Sequence, residues 1–85
     1  MEHEYILSFS SFYKAAYAKD VLEEHGLHSI LQKLPLQLVY SCSTGLYLSV
    51  GSIEQVCRIL DEKQITARGV YEIVRIGNAK TYRRV

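Results

Sequence analysis

The stretch GLYLSVGSIEQV, residues 45–56, decides the fold, because a strand pattern changes there into a helix pattern. Apolar and other side chains alternate over Gly45–Val50, which is typical of a strand with one buried face. Ser52 is followed three residues later by Gln55, which is the spacing of a helix capping box. The sequence therefore predicts a strand that leads directly into an amphipathic helix.

The beginning of the chain has the same strand-then-helix pattern. Glu4–Phe9 alternates as a strand, and Phe12–His25 carries apolar residues at helical spacing. Ser10 or Ser11 is suited to begin this helix, and Gly26 is suited to end it. The strand–helix unit is therefore predicted twice.

Two further strands complete the predicted order. Leu27–Lys33 alternates loosely and is ended by Pro35, and Gly69–Ile76 forms the last predicted strand. The order β-α-β-β-α-β predicts an α+β, ferredoxin-like two-layer sandwich with two helices on one face of a four-stranded antiparallel sheet. We expect a single domain over residues 1–77 and a flexible basic tail over residues 78–85.

The sheet face opposite the two helices, called the open face below, has no predicted element to cover it. Tyr47 and Ser49 are expected there, together with some of Tyr5, Ser8 and Tyr71. Such a face must be solvated, buried in a dimer or used for binding.

Composition and charge exclude several classes of protein. The chain has 85 residues, 48% of them hydrophobic, and a net charge of +1. It is therefore neither disordered in composition nor a strongly basic nucleic-acid binder. We expect no signal peptide and no membrane span, since the first residues are acidic and no apolar run approaches ~20 residues. A cytoplasmic location with reduced thiols follows from this expectation.

The segment YSCSTG, residues 40–45, places a cysteine among small residues. Backbone N–H groups there could form an anion-binding nest, and Gly45 removes a Cβ from the approach to Cys42. A thiolate stabilised in this way would have a pKa below the ordinary value of ~8.5. The alternative is a small loop residue without chemistry. The hydroxyl groups expected to stabilise the anion belong to Ser41, Ser43 and Thr44.

The other cysteine and the histidines are interpreted structurally. Cys57 lies beside the apolar stripe of the second helix, where a cysteine usually packs as a small hydrophobe. Its spacing from Cys42 forms no CxxC motif, and the three histidines form no ligand set. We therefore expect neither a metal nor another cofactor.

A nucleic-acid function is disfavoured. The RNA-recognition domain shares the predicted topology and stacks bases on sheet aromatics, a role open to Tyr5 and Tyr47. The third strand, GLYLSV, lacks the basic-glycine-aromatic string of that domain, and the near-neutral charge argues against strong phosphate binding.

Most of the chain resembles a family of small bacterial domains described as selenium/sulfur carrier-like proteins. EYILSFSSFYKAAYAKDVLEEHGL is similar to their first strand and helix, and SIEQVCRILDEKQITARGVYEIV to their second helix and last strand. KLPLQLVYSCSTGLYLSV is similar to their proline-containing loop, cysteine and glycine-led strand. In that family the glycine commonly follows the cysteine directly, whereas Ser43 and Thr44 intervene here. Only Cys42 and Gly45 can therefore be matched to the family pattern.

The resemblance implies a carrier and not a stand-alone enzyme. Cys42 would accept a sulfur or selenium atom as a persulfide or selenosulfide from a donor protein and pass it to an acceptor protein. The residues expected to bind the anion or the partner are Ser41, Ser43, Thr44, Gly45 and Tyr47. The alternative hypothesis is a non-catalytic interaction or regulatory module that forms a homodimer through the open face.

Overall fold

The computed structural model describes residues 2–39 and 43–85, and its α+β class agrees with the prediction. Two α-helices, one 3₁₀ turn and five strands make up the described chain. In chain order they are β1 (His3–Ser8), α1 (Phe12–Glu24), β2 (Ile30–Lys33), the 3₁₀ turn (Leu36–Leu38), β3 (Thr44–Val50), α2 (Ile53–Glu62), β4 (Gly69–Ile76) and β5 (Ala79–Arg84).

All the strands belong to one antiparallel sheet with the order β2-β3-β1-β4-β5. β1 lies in the centre, so that Tyr5 is opposite Leu48 on one side and Glu72 on the other. Ile6 and Leu7 point to opposite faces of the sheet, and both are fully buried. Both faces of the central strand are therefore covered.

The prediction of four strands is wrong, and the strand that it lacks lies in the segment expected to be a flexible tail. Residues 79–84 form β5, which pairs with β4 from Tyr71↔Arg84 to Ile76↔Ala79. Gly77 is the first residue of the two-residue turn between β4 and β5 and has a φ of 61°. A type II′ hairpin turn needs a positive φ at this position, which favours glycine. The sheet thus continues beyond residue 77. The ferredoxin-like assignment stays a prediction.

Both helices begin at a serine cap. The Ser11 hydroxyl accepts a hydrogen bond from the Lys14 backbone N–H at 3.2 Å, and the Ser52 hydroxyl accepts one from the Gln55 backbone N–H at 3.3 Å. One such bond satisfies one of the N–H groups left without a partner at a helix start. Of the two predicted candidates, Ser10 and Ser11, it is Ser11 that caps α1, and the predicted cap at Ser52 is confirmed.

Both helices also end in the same way. The Gly26 N–H bonds to the Glu23 carbonyl and the Leu27 N–H to the Leu22 carbonyl, each at 2.9 Å, which is a Schellman motif. Gly26 has a φ of 77°, as such a motif requires. α2 repeats the motif with Gln64, at a φ of 59°, in the position of the glycine.

The main core lies between the helices and one face of the sheet. Apolar residues of α1 and α2 pack there against Leu7 of β1 and the inward side of β3. Tyr5, which was among the residues considered for the open face, belongs to this core and is 8% exposed. The core residues contributed by the helices are Ala15, Ala18, Val21, Leu22, Ile53, Val56, Ile59 and Leu60.

The open face is partly covered, contrary to the expectation of a bare surface. Leu34 and Leu38, from the connection between β2 and β3, are buried there against Ile6. Four partly buried side chains pack around this cluster: Tyr47, Tyr71, Ile73 and Tyr82. The predicted positions of Tyr47 and Ser49 agree with the strand register, which also puts Ser8 and Tyr71 on this face.

Candidate functional site

The expected carrier residue Cys42 and its neighbour Ser41 lie outside the described residues. The described chain resumes at Ser43, which is exposed and whose carbonyl accepts a hydrogen bond from the Leu34 N–H at 2.7 Å. Thr44 follows as the first residue of β3, opposite Lys33. The two ends of the connection between β2 and β3 are therefore held together at the edge of the sheet.

Gly45 is required by close packing. A Cβ atom at this position would lie 2.4 Å from Leu34 Cδ2 and 2.7 Å from the backbone oxygen of Leu7. Leu34 can therefore lie directly on β3. The expected role of Gly45 in giving access to the cysteine stays a prediction, whereas its structural role is visible in these contacts.

Tyr47 is not close to Ser43 along the strand. The two residues are separated by four positions, or about 13 Å at ~3.3 Å per residue. The Tyr47 hydroxyl donates a hydrogen bond to the Lys33 carbonyl at 2.7 Å. Burial is the main cause that raises the pKa of the Tyr47 hydroxyl, and the nearby Tyr82 raises it further. The Tyr47 backbone is therefore distant from the start of β3, but its hydroxyl reaches Lys33, which is opposite Thr44 there. The expected binding role of Tyr47 stays a prediction.

Cys57 has a structural environment, as predicted. It is partly buried and packs against the main core. Burial raises the pKa of the Cys57 thiol, and the Asp61 carboxylate raises it further because a second negative charge is disfavoured there. Such a thiol is a poor source of thiolate near neutral pH.

The cations of the expected basic tail lie on β5, a position in the sheet that the sequence did not predict. The Arg84 guanidinium lies over the Tyr71 ring, 5.8 Å from the ring centre, and donates to the Tyr71 hydroxyl at 3.5 Å and to the Arg68 carbonyl at 3.3 Å. The Arg68 N–H in turn bonds to the Ser8 carbonyl at 2.7 Å. Because Ser8 is opposite Gly45 in the sheet, this cation lies at the end of the sheet where β3 begins.

Two grooves lie away from the start of β3. A groove of about 500 Å³ lies at the other end of the sheet, where Ser49 and Ser52 line it together with His28 and Glu4. A smaller groove of about 400 Å³ lies beside α2, with Cys57 among its lining residues. Neither contains Ser43, Thr44 or Gly45 among the described lining residues.

The described residues contain neither a candidate metal site nor a candidate membrane-spanning helix. Over residues 2–39 and 43–85, the histidine, cysteine and acidic side chains form no group of three or more that could hold a metal ion. Neither helix in those ranges combines the length and the apolar character needed to cross a bilayer.

Comparison with known proteins gives one match. The model of the family described as "Putative Se/S carrier protein-like" matches residues 4–72, a range that runs from β1 into β4 and includes both cysteines. No curated protein and no solved structure matches the chain.

Proposed function

Since the chain belongs to the Se/S carrier protein-like family, we propose that it carries sulfur or selenium on Cys42. The family match across residue 42 is the observation that carries this proposal. The properties of Cys57 support it, because burial and Asp61 disfavour the thiolate of the other cysteine. Cys42 is therefore the better candidate for a reactive thiol.

The proposed step is a transfer between sulfur atoms. The Cys42 thiolate attacks the terminal sulfur of a donor persulfide, a new S–S bond forms, and the donor cysteine leaves as a thiolate. A terminal selenium atom would be transferred in the same way to give a selenosulfide. The acceptor protein then takes the terminal atom by the reverse reaction, so that the chain acts as a carrier and not as a stand-alone enzyme.

Small polar residues would stabilise the anion. Ser43 and Thr44 begin β3 next to residue 42, and we propose that their hydroxyl or N–H groups, with those of Ser41, lower the pKa of Cys42. The hydrogen bond from Leu34 to the Ser43 carbonyl fixes one side of this segment. We place the carrier in the cytoplasm, where thiols are kept reduced.

Mass spectrometry of protein treated with a low-molecular-weight persulfide tests the carrier step. We expect a reducible gain of one sulfur atom that maps to residue 42. Cys42→Ser should abolish the gain, and Cys57→Ser is the matched control that should retain it. A gain that maps to residue 57, or no gain on the native chain, would contradict the proposal.

The second candidate function is an interaction module that dimerises through the open face. Its support is the apolar surface there, where Ile30 is 51% exposed and lies opposite the partly buried Tyr47 of the neighbouring strand. Light scattering should then give a dimer that Ile30→Glu dissociates. Tyr13→Glu on α1, where the native side chain is 84% exposed, is the control that should leave the dimer intact. A native monomer would remove this candidate.

A further inference from the structure

Three cross-strand pairs of β4 and β5 form an ordered surface on the open face. Ile73 and Tyr82 lie in the middle, with Tyr71 and Arg84 on one side and Arg75 and Lys80 on the other. Alternate residues of paired strands share a face, so all six belong to the open face. An apolar centre with cations at both ends is typical of a protein interface with a charged rim. We call these six residues the β4–β5 surface.

The β4–β5 surface keeps an excess of positive charge. Among the described strand residues, the open face has one carboxylate, Glu4, which accepts hydrogen bonds from Arg75 at 3.1 and 3.2 Å. Arg84 contacts neutral oxygen atoms, and Lys80 is exposed without an ion pair to the described residues. Two cationic side chains are therefore not neutralised.

The opposite face of the same hairpin has no such excess. Arg83, next to Arg84 in sequence, forms an ion pair with Glu72, and Glu72 also lies 3.0 Å from His3 Nδ1. The unpaired charge is thus confined to the open face of β5. A second copy of this face would bring further cations against it, whereas an acidic surface would complement it.

We infer that the β4–β5 surface docks an acidic protein surface. If the proposed carrier function holds, the docked protein is the sulfur or selenium donor or acceptor, because Arg84 lies at the end of the sheet where β3 begins. The partly buried tyrosine rings and the aliphatic centre at Ile73 favour a protein over single-stranded nucleic acid, which needs ring faces open for stacking.

The test uses three cysteine peptides, rich in Glu, rich in Lys or uncharged, each activated as a mixed disulfide with thionitrobenzoate. The Cys42 thiolate attacks the peptide sulfur, the protein–peptide disulfide forms, and coloured thionitrobenzoate leaves. We expect the Glu-rich peptide to react roughly tenfold faster than the uncharged one at low salt, and the Lys-rich peptide more slowly. High salt should remove the difference.

Two double variants, each of which removes two positive charges, show which cations cause the preference for the Glu-rich peptide. Lys80→Gln combined with Arg84→Gln should abolish the preference for the Glu-rich peptide. Arg58→Gln combined with Lys63→Gln, at exposed positions outside the sheet, is the matched control that should keep it. An unchanged preference in the open-face variant would overturn the inference.

Two further measurements separate the possible failures. Slow reaction of Cys42 with the uncharged reagent dithiodipyridine would contradict the proposed function, and fluorescence anisotropy of a labelled Glu-rich peptide without cysteine would still test the docking surface. A reactive Cys42 without charge preference would contradict the docking surface alone. Tighter binding of a labelled single-stranded oligonucleotide than of the Glu-rich peptide would overturn the inference in favour of nucleic acid.

Discussion

At the scale of single residues, two glycines of the open face have packing roles. Leu34 lies over Gly45, and the ring of Tyr71 lies over Gly69, where a Cβ would be 2.6 Å from the tyrosine hydroxyl. The two sites differ in what the new atom would meet. At Gly45 one obstacle is the backbone of β1, whereas at Gly69 the nearest atoms belong to the end of one side chain.

Gly45→Ala should therefore destabilise the protein. Alanine suits a strand better than glycine by ~0.5–1 kcal/mol, but the contact with the Leu7 oxygen forces a shift that costs about 1–3 kcal/mol. We expect a lower urea midpoint, and a smaller decrease for Gly69→Ala because Tyr71 can rotate. A Gly45→Ala midpoint equal to that of the native protein would show that Leu34 and β1 yield freely.

Cys57 offers a prediction on pH dependence. In the Cys42→Ser variant, the remaining thiol should be alkylated by iodoacetamide with a midpoint above that of a cysteine peptide, because burial and Asp61 both disfavour the thiolate. Unfolding in urea should restore the ordinary midpoint. Asp61→Asn should lower the folded-state midpoint in part, since burial is the larger cause. A folded midpoint at or below the peptide value would contradict this assignment.

At the scale of elements, the two ends of α2 differ in how well their residues suit the backbone conformation. Ser52 caps its start, but Gln64 ends it with a φ of 59°, a conformation that costs a residue with a Cβ roughly 1–2 kcal/mol. The Gln64 N–H bonds to the Asp61 carbonyl at 2.9 Å and the Ile65 N–H to the Leu60 carbonyl at 2.9 Å, so the motif persists despite this cost.

Gln64→Gly should therefore stabilise the protein by about 0.5–1 kcal/mol, because glycine adopts this conformation without the steric cost. Thermal or urea unfolding measures the gain. The matched control is Lys63→Gly at the preceding residue, where φ is −99° and glycine should only add flexibility to the unfolded chain. A gain at residue 63 as large as that at residue 64 would point to a nonspecific effect.

Much of the element pattern could be predicted from the sequence. Local signals specify both serine caps and the alternation of β3. β2 begins at Ile30 and not at Leu27, because the Leu27 N–H is used to close the end of α1. β5 was missed although Gly77-Asn78 is a hairpin signal, since its charged and polar residues are also typical of a solvated tail. The burial of Leu34 and Leu38 on the open face depends on tertiary contacts that periodicity does not encode.

At the scale of the whole molecule, β5 extends the sheet so that β4 is an interior strand. It also brings Tyr82 against the open-face cluster and places Arg84 over Tyr71. At the candidate site, the structure gives the positions of Ser43, Thr44 and Gly45, which follow residue 42 in the chain. The reactivity of Cys42 stays a prediction.

A chain that ends at Ile76 should be less stable than the native one by about 1–2 kcal/mol, since it loses the partly buried Tyr82 and leaves β4 at an edge. Urea unfolding measures the difference, and Thr81→Ala is a mild control that keeps the hairpin. Hydrogen exchange should show protected amides in residues 79–84 of the native chain. Equal stability of the shortened chain would support the flexible tail that the sequence suggested.

The central position of β1 has a consequence for synthesis on the ribosome. This strand is translated before either of its neighbours, and its second neighbour, β4, follows only after α2. The side chains of Ile6 and Leu7, which are fully buried in the folded protein, therefore stay without part of their packing partners during most of translation. A nascent chain arrested before residue 69 would display one edge of β1 without its partner, a state in which binding by a chaperone could compete with aggregation.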